Sequence, residues 1–208
     1  MSYFKYIFLL SMFLLPLSTH ANVSKVDVFV SGKDYSTLRS PLDKIKGSIK
    51  VEEFFWYGCH YCYLIEDSIQ DWLKKKPKDV HFERIPAAVN PVWESGARTY
   101  YTSEILNVRK NTHLALYKAI QVEKKKIYDK ESAANFFVKY GVTKKKFNDV
   151  YNSFAVTNMI TRSNNLVKRY ELTGVPAFVV NGKYVVKGSE PKAIQIINYL
   201  INKERNLK

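Results

Sequence analysis

Phe54-Phe55-Trp56-Tyr57-Gly58-Cys59-His60-Tyr61-Cys62 reads as the end of a buried strand running directly into a Cys-x-x-Cys, and it holds the only two cysteines of the 208-residue chain. Ile49 to Tyr57 is close to a continuous apolar run, the pattern of a strand covered on both faces. Beyond it the spacing of Ile65, Ile69, Trp72 and Leu73 predicts a helix from about Cys59 to Lys76. Val80 to Ile85 follows as a short strand. Strand, helix and strand form a compact βαβ unit.

Upstream, Val26, Val28 and Val30 alternate at the start of Lys25 to Tyr35 and predict a half-buried strand, with Leu38 to Gly47 as a connector. The first 21 residues differ from all of this. Lys5 precedes an apolar run from Ile7 to Leu17, and Thr19-His20-Ala21 supplies a small-x-small site, so a secretory signal cut after Ala21 is expected, with a retained anchor as the alternative. No later stretch approaches the roughly 20 apolar residues of a spanning helix.

Downstream, from Pro91 to Glu171, the apolar period becomes helical. Ala97, Tyr101, Ile105 and Val108 mark one helix, and Leu114, Tyr117 and Ile120 a second. Ala133, Phe136, Phe137 and Tyr140 mark a third, closed by Gly141. Thr143 caps a fourth, and Val156, Ile160, Val167 and Tyr170 lie on a fifth. Strand character returns at Thr173 to Val180, Asn181-Gly182 is a two-residue hairpin turn, and Tyr184 to Val186 returns from it. Ser189 then caps a last helix, with Pro191 in its first turn and Ile194, Ile197, Leu200 and Ile201 inward.

Composition restricts what the cysteine pair is for. A chain that is 46% hydrophobic buries a sufficient core without staples. Closing so short a loop constrains the unfolded chain by only about 2 kcal/mol, against about 5 for a loop of a hundred residues. A structural disulfide remains one reading and zinc another, but zinc needs two more ligands, and His81 and His113 stand isolated. The net charge of +14 lies in short lysine groups, Lys74 to Lys76, Lys124 to Lys126 and Lys144 to Lys146, which read as solvated surface; no nucleic-acid partner is expected. Exchange chemistry fits best. Cys59 at a helix start meets unpaired N–H groups and the positive end of the dipole, both favouring the thiolate, so it is the nucleophile. Cys62, one turn inward, is the shielded resolving thiol.

With Gly174-Val175-Pro176-Ala177-Phe178-Val179-Val180-Asn181-Gly182-Lys183-Tyr184 far downstream, the stretch from Glu53 to Tyr63 resembles the DsbA family of periplasmic thiol:disulfide oxidoreductases. The resemblance implies an α/β fold, thioredoxin-like and interrupted by an all-helical inserted domain. Residues 22–88 and 172–208 would form the first part and 89–171 the second. It makes Pro176 a cis-proline packed against the cysteines, with Val175 offering its backbone to an extended substrate. It also makes Glu53 the buried acid that serves Cys62. Arg84 is its possible partner, Glu52 faces the other way, and Glu66 is a further candidate. The family's commonest Cys-Pro-His-Cys is replaced by Cys-His-Tyr-Cys, so His60 and Tyr61 are where oxidising strength is expected to be set. The activity implied is periplasmic donation of the Cys59-Cys62 disulfide to newly translocated proteins by a monomer, without further cofactor. A quinone-linked membrane oxidase of the DsbB type would restore it. The rivals are an isomerase or reductase on the same fold, and a secreted binding protein with an idle disulfide.

Overall fold

β2 (Ile49–Phe55) occupies the middle of the sheet, parallel to β3 (Val80–Pro86) on one side and antiparallel to β4 (Ala177–Val180) on the other. β5 (Tyr184–Lys187) and the two-residue β1 (Ser36–Thr37) complete five strands in the order β1-β5-β4-β2-β3. The structure, a computed structural model, describes residues 28–41 and 47–206, so the expected signal segment lies outside the described residues. Between β3 and β4 run α2 (Pro91–Ile105), α3 (Arg109–Gln121), α4 (Lys130–Val138), α5 (Lys144–Tyr151) and α6 (Phe154–Arg169). α1 (His60–Lys75) follows β2, and α7 (Pro191–Asn206) ends the described chain. Among the described residues no helix is long and apolar enough to cross a membrane.

Strand alternation assigns the two faces of β2. Ile49 and Val51 join Phe178 and Val180 beneath Ile65, Ile69 and Trp72 of α1 and Ile196, Ile197 and Leu200 of α7. Phe54 faces the other way, into Ile85, Ala177, Val179, Val185 and Tyr170. The inserted helices close over a core of their own, including Leu116, Tyr117, Phe137, Phe147 and Val156, and the end of β2 enters it through Phe55 and Tyr57. The run that carries the cysteines is therefore gripped by both bodies of the fold.

Local signals explain most of the boundaries. Asn90, Asp129, Thr143 and Ser153 each accept the N–H of the residue three positions on, stopping the chain from fraying at four helix starts. After α4, Gly141 takes φ +79, and the N–H of Val142 reaches back to the Phe137 carbonyl, a Schellman closure. Asn181 and Gly182, at φ 56 and 61, make the expected hairpin.

Three expectations are corrected. Residues 28–35 form no regular strand, and Val28 and Val30 are exposed: the Val30 carbonyl accepts from Lys33 and Asp34, and the Val30 N–H donates to the Asp34 carboxylate. A local turn has taken the groups a strand would have paired. Val108 is not on α2, because Asn107 at φ 56 ends that helix and Val108 becomes the N-cap of α3. Leu114 points outward, since the buried face of α3 is Thr112, His113, Leu116, Tyr117, Ala119 and Ile120.

Ile69 is fully buried between the sheet and α7. Ile69→Ala should cost about 2–5 kcal/mol of unfolding free energy in a denaturant titration, without changing the slope.

Candidate active site

β2 ends in Phe55, and Trp56-Tyr57-Gly58 carries the chain to the start of α1 through a turn in which the Cys59 N–H donates to the Trp56 carbonyl at 3.0 Å. Gly58 has to be glycine: a Cβ there would sit 2.2 Å from the Trp56 ring. That ring is itself fixed, stacked on Trp93 at 4.8 Å between centroids. Cys59 thereby becomes the N-cap of α1, and its sulfur accepts the Cys62 N–H at 3.3 Å. The thiol of Cys62 and the backbone N–H groups of Cys62 and Tyr61 hold the Cys59 pKa down at about 7 against the opposing effect of partial burial. Cys62 is fully buried, and burial pushes its thiol strongly upward. Two sulfurs one turn apart thus have opposite acidities.

From the far end of the chain, the Val175-Pro176 peptide bond is cis and brings the Val175 carbonyl to 3.5 Å from the Cys59 sulfur. Pro176 is buried and Val175 is half-buried. Val175 separates two clefts. One, of about 250 Å³, is walled by Ala87, Val89, Trp93, Val167 and Leu172. The other, of about 310 Å³, has Tyr61 on one side and Lys187, Gly188 and Ser189 on the other. Tyr61 is 61% exposed, enough to meet a bound chain, and His60 is exposed at the first position of the helix with its ring beside Tyr61.

Two carboxyls are buried in the same region, and the charge of one, Glu53, adds to the upward push on the Cys62 thiol. Glu53 is fully buried, and burial raises its pKa to about 8 although Arg84 opposes the shift. The Arg84 Nε is 3.0 Å from its Oε2, as strand pairing of Glu53 with Arg84 demands. Glu66 is also buried, and Arg84 and Gln70 donate to its Oε1 at 2.6 Å each. Burial disfavours its charge, yet His113, Arg84 and Gln70 together hold its pKa below the ordinary range. Glu52 turns to the opposite face, where Lys50 and the Tyr170 hydroxyl satisfy it.

Sequence reasoning reached Cys59, Cys62, Glu53, Arg84, Val175 and Pro176, and the structure brings them together. It missed Tyr57 and His113, whose side chains are joined at 2.9 Å, and Gln121, which donates to the Tyr57 carbonyl. The available signal was a histidine in register with Leu116, Tyr117 and Ile120. Choosing Leu114 for the inner face hid it.

Residues 94–195 match the model of the DSBA-like thioredoxin domain. The chain is 38% identical over 202 residues to the thiol:disulfide interchange protein DsbA of Pseudomonas aeruginosa, covering 95% of this chain and 96% of that one. It is 40% identical over 180 residues to the protein of the same name from Pseudomonas syringae pv. tomato, covering 84% of each. The crystal structure of Pseudomonas aeruginosa DsbA superposes with a TM-score of 0.81 at 40% identity, over 88% of this chain and 97% of that one. The oxidoreductase DsbA of Xylella fastidiosa gives 0.79 at 30% identity, over 85% and 98%. The fold is thus α/β, thioredoxin-like with a helical insertion.

The Cys59 shift fixes a pH dependence. Its pKa falls on folding, so its contribution to the stability of the reduced protein is complete above the unfolded value of about 9 and is lost as pH falls through about 7. Denaturation midpoints of the reduced protein relative to the disulfide form, which lacks this thiolate, should rise across that interval. Thiolate absorbance should titrate near 7 for one sulfur only.

Proposed function

We propose how the two cysteines divide the work in a chain that belongs to the DsbA family of thiol:disulfide interchange proteins and is a disulfide-donating thiol:disulfide oxidoreductase. The observation that carries the division is the contrast between Cys59, capping a helix beside Val175, and Cys62, buried behind it. A substrate thiolate attacks the Cys59 sulfur of the disulfide form. The Cys59–Cys62 bond breaks, its electron pair leaves on Cys62, and a mixed disulfide forms at Cys59. A second substrate thiolate then attacks the substrate sulfur of that bond, and Cys59 departs as a thiolate. The substrate gains a disulfide, and the protein gains two electrons and becomes the dithiol.

The leaving groups have different needs. Cys59 leaves easily because its thiolate is already stabilised. Cys62 leaves into a buried site that disfavours its charge and must receive a proton. Glu53, buried and held protonated to about pH 8, is the acid for that transfer. Stabilising the Cys59 thiolate favours the dithiol and makes the disulfide a stronger oxidant, as the family's own behaviour illustrates.

An extended segment adding to the Val175 backbone would place its side chains in the two flanking clefts. Backbone pairing beside a largely apolar cleft suits reduced, unfolded clients of varied sequence. Residues 22–88 and 172–208 then act as the exchange domain, and 89–171 as the inserted one that walls the cleft. The setting is the periplasm, after removal of the first 21 residues. The protein works as a monomer with no cofactor beyond its own disulfide, and a quinone-linked membrane oxidase of the DsbB type returns it to the oxidised form. His60 and Tyr61 tune the potential from the helix start.

Cys59→Ser should reduce oxidation of a dithiol peptide to the uncatalysed rate; retained turnover overturns the assignment. Cys62→Ala should instead accumulate mixed disulfides through Cys59, seen as substrate adducts on non-reducing gels and by mass spectrometry.

A further inference from the structure

A file of buried polar groups runs from the active loop to the sheet. The Tyr57 hydroxyl is 2.9 Å from His113 Nδ1, and His113 Nε2 is 3.6 Å from Glu66 Oε2. Arg84 Nη2 donates to Glu66 Oε1 at 2.6 Å, and Arg84 Nε ends the file 3.0 Å from Glu53. The loop after β2, α3, α1, β3 and β2 each supply one member.

One cation faces two carboxyls here, in a site where a second uncompensated negative charge is costly. A proton therefore resides on one of them, and geometry decides which. The guanidinium commits an aligned hydrogen bond to Glu66. Its Nε is near Glu53 but not aligned with it, and neither Glu53 oxygen has a hydrogen-bond partner among the described residues. Glu66 is the better-supported anion.

His113 completes that support. Glu66 Oε2 and His113 Nε2 are buried, have no hydrogen-bond partner among the described residues, and face each other at 3.6 Å, just outside hydrogen-bond distance. The orientation follows from Tyr57. Burial pushes the Tyr57 hydroxyl well up, so it stays protonated and is able to donate to Nδ1, the arrangement that puts the imidazole proton on Nε2. The reverse tautomer would aim a lone pair at a carboxylate. The remaining surroundings offer no competing anion: Phe55 from β2, Tyr100 from α2, Tyr117 from α3, and Arg109 at the start of α3, itself paired with Glu104. Burial also depresses the His113 pKa to about 4, against the pull of Glu66, so the ring remains a neutral donor.

We propose that His113, contributed by the inserted helices and oriented by Tyr57, is a positioning residue of the exchange reaction: it holds Glu66 as the partner of Arg84 and so leaves the proton on Glu53, the acid beside Cys62. The proposal rests on the reading of Glu53 as the proton donor to Cys62. It adds that the distribution of one proton between two acids is set from a different part of the fold.

Infrared difference spectroscopy of the reduced protein near neutral pH reads the carbonyl stretch of a protonated carboxyl, with Glu53→Gln and Glu66→Gln to assign it. In the native chain the band should vanish with Glu53→Gln. In His113→Leu a second band, removed by Glu66→Gln, should appear, and the Glu53 midpoint should fall by about one pH unit. Peptide oxidation should lose rate at correspondingly lower pH while the Cys59 titration stays in place. His113→Gln, whose amide can donate, should restore most of the native pattern. Tyr57→Phe keeps the ring and removes only the orienting hydroxyl, so it carries the test if His113→Leu does not fold, with a smaller shift of the same sign. A Glu53 band of unchanged midpoint in the folded variants overturns the proposal and leaves a structural histidine. A native chain without a Glu53 band overturns instead the reading of Glu53 on which it rests.

Discussion

The hydrogen bond from the Cys62 N–H to the Cys59 sulfur exists because a strand ends, a glycine turns the chain, and a helix begins within five residues. Each of those events is forced by packing. Phe55 and Tyr57 are anchored in the helical core, Trp56 is stacked on Trp93, and Gly58 is the only residue that fits under the Trp56 ring. With the loop so held, Cys59 has no choice but the cap and Cys62 none but the interior. The difference in acidity between the sulfurs is a consequence of where β2 stops.

That arrangement leaves a debt of charge beneath it. Arg84 enters because it is paired with Glu53 across β2 and β3, and Glu66 enters because it lies on the buried face of α1. A lone buried arginine or a lone buried glutamate would be strongly unfavourable; together, with one proton, they are neutral. The helices inserted between β3 and β4 therefore do more than wall a cleft. Through His113 and Gln121 they touch Glu66 and the loop that carries the cysteines.

Much of this was legible in the residues. The apolar run into Cys-x-x-Cys located the strand end and the helix start, while the family resemblance supplied Val175-Pro176 as the facing loop and Glu53 as the buried acid. What escaped was side-chain pairing between elements distant in sequence. His113 read as an isolated histidine because its partners come from α1 and from the loop after β2, far from it in the chain. The valines before Tyr35 misled for a different reason. Their alternation is real, but Gly32 and Asp34 offer the backbone a nearer set of hydrogen bonds than any strand does.

The sheet order has a consequence for the order of assembly. β2 can join β3 as soon as α1 is made, but its other edge waits for β4, which pairs Val180 with Val51 only after all five intervening helices have been synthesised. Through that interval the cysteines are present without the Val175 carbonyl. A nascent chain emerging N-terminus first thus carries the turn that lowers Cys59 before it carries the inserted helices whose core buries Cys62, so the second half of the contrast between the thiols arrives later.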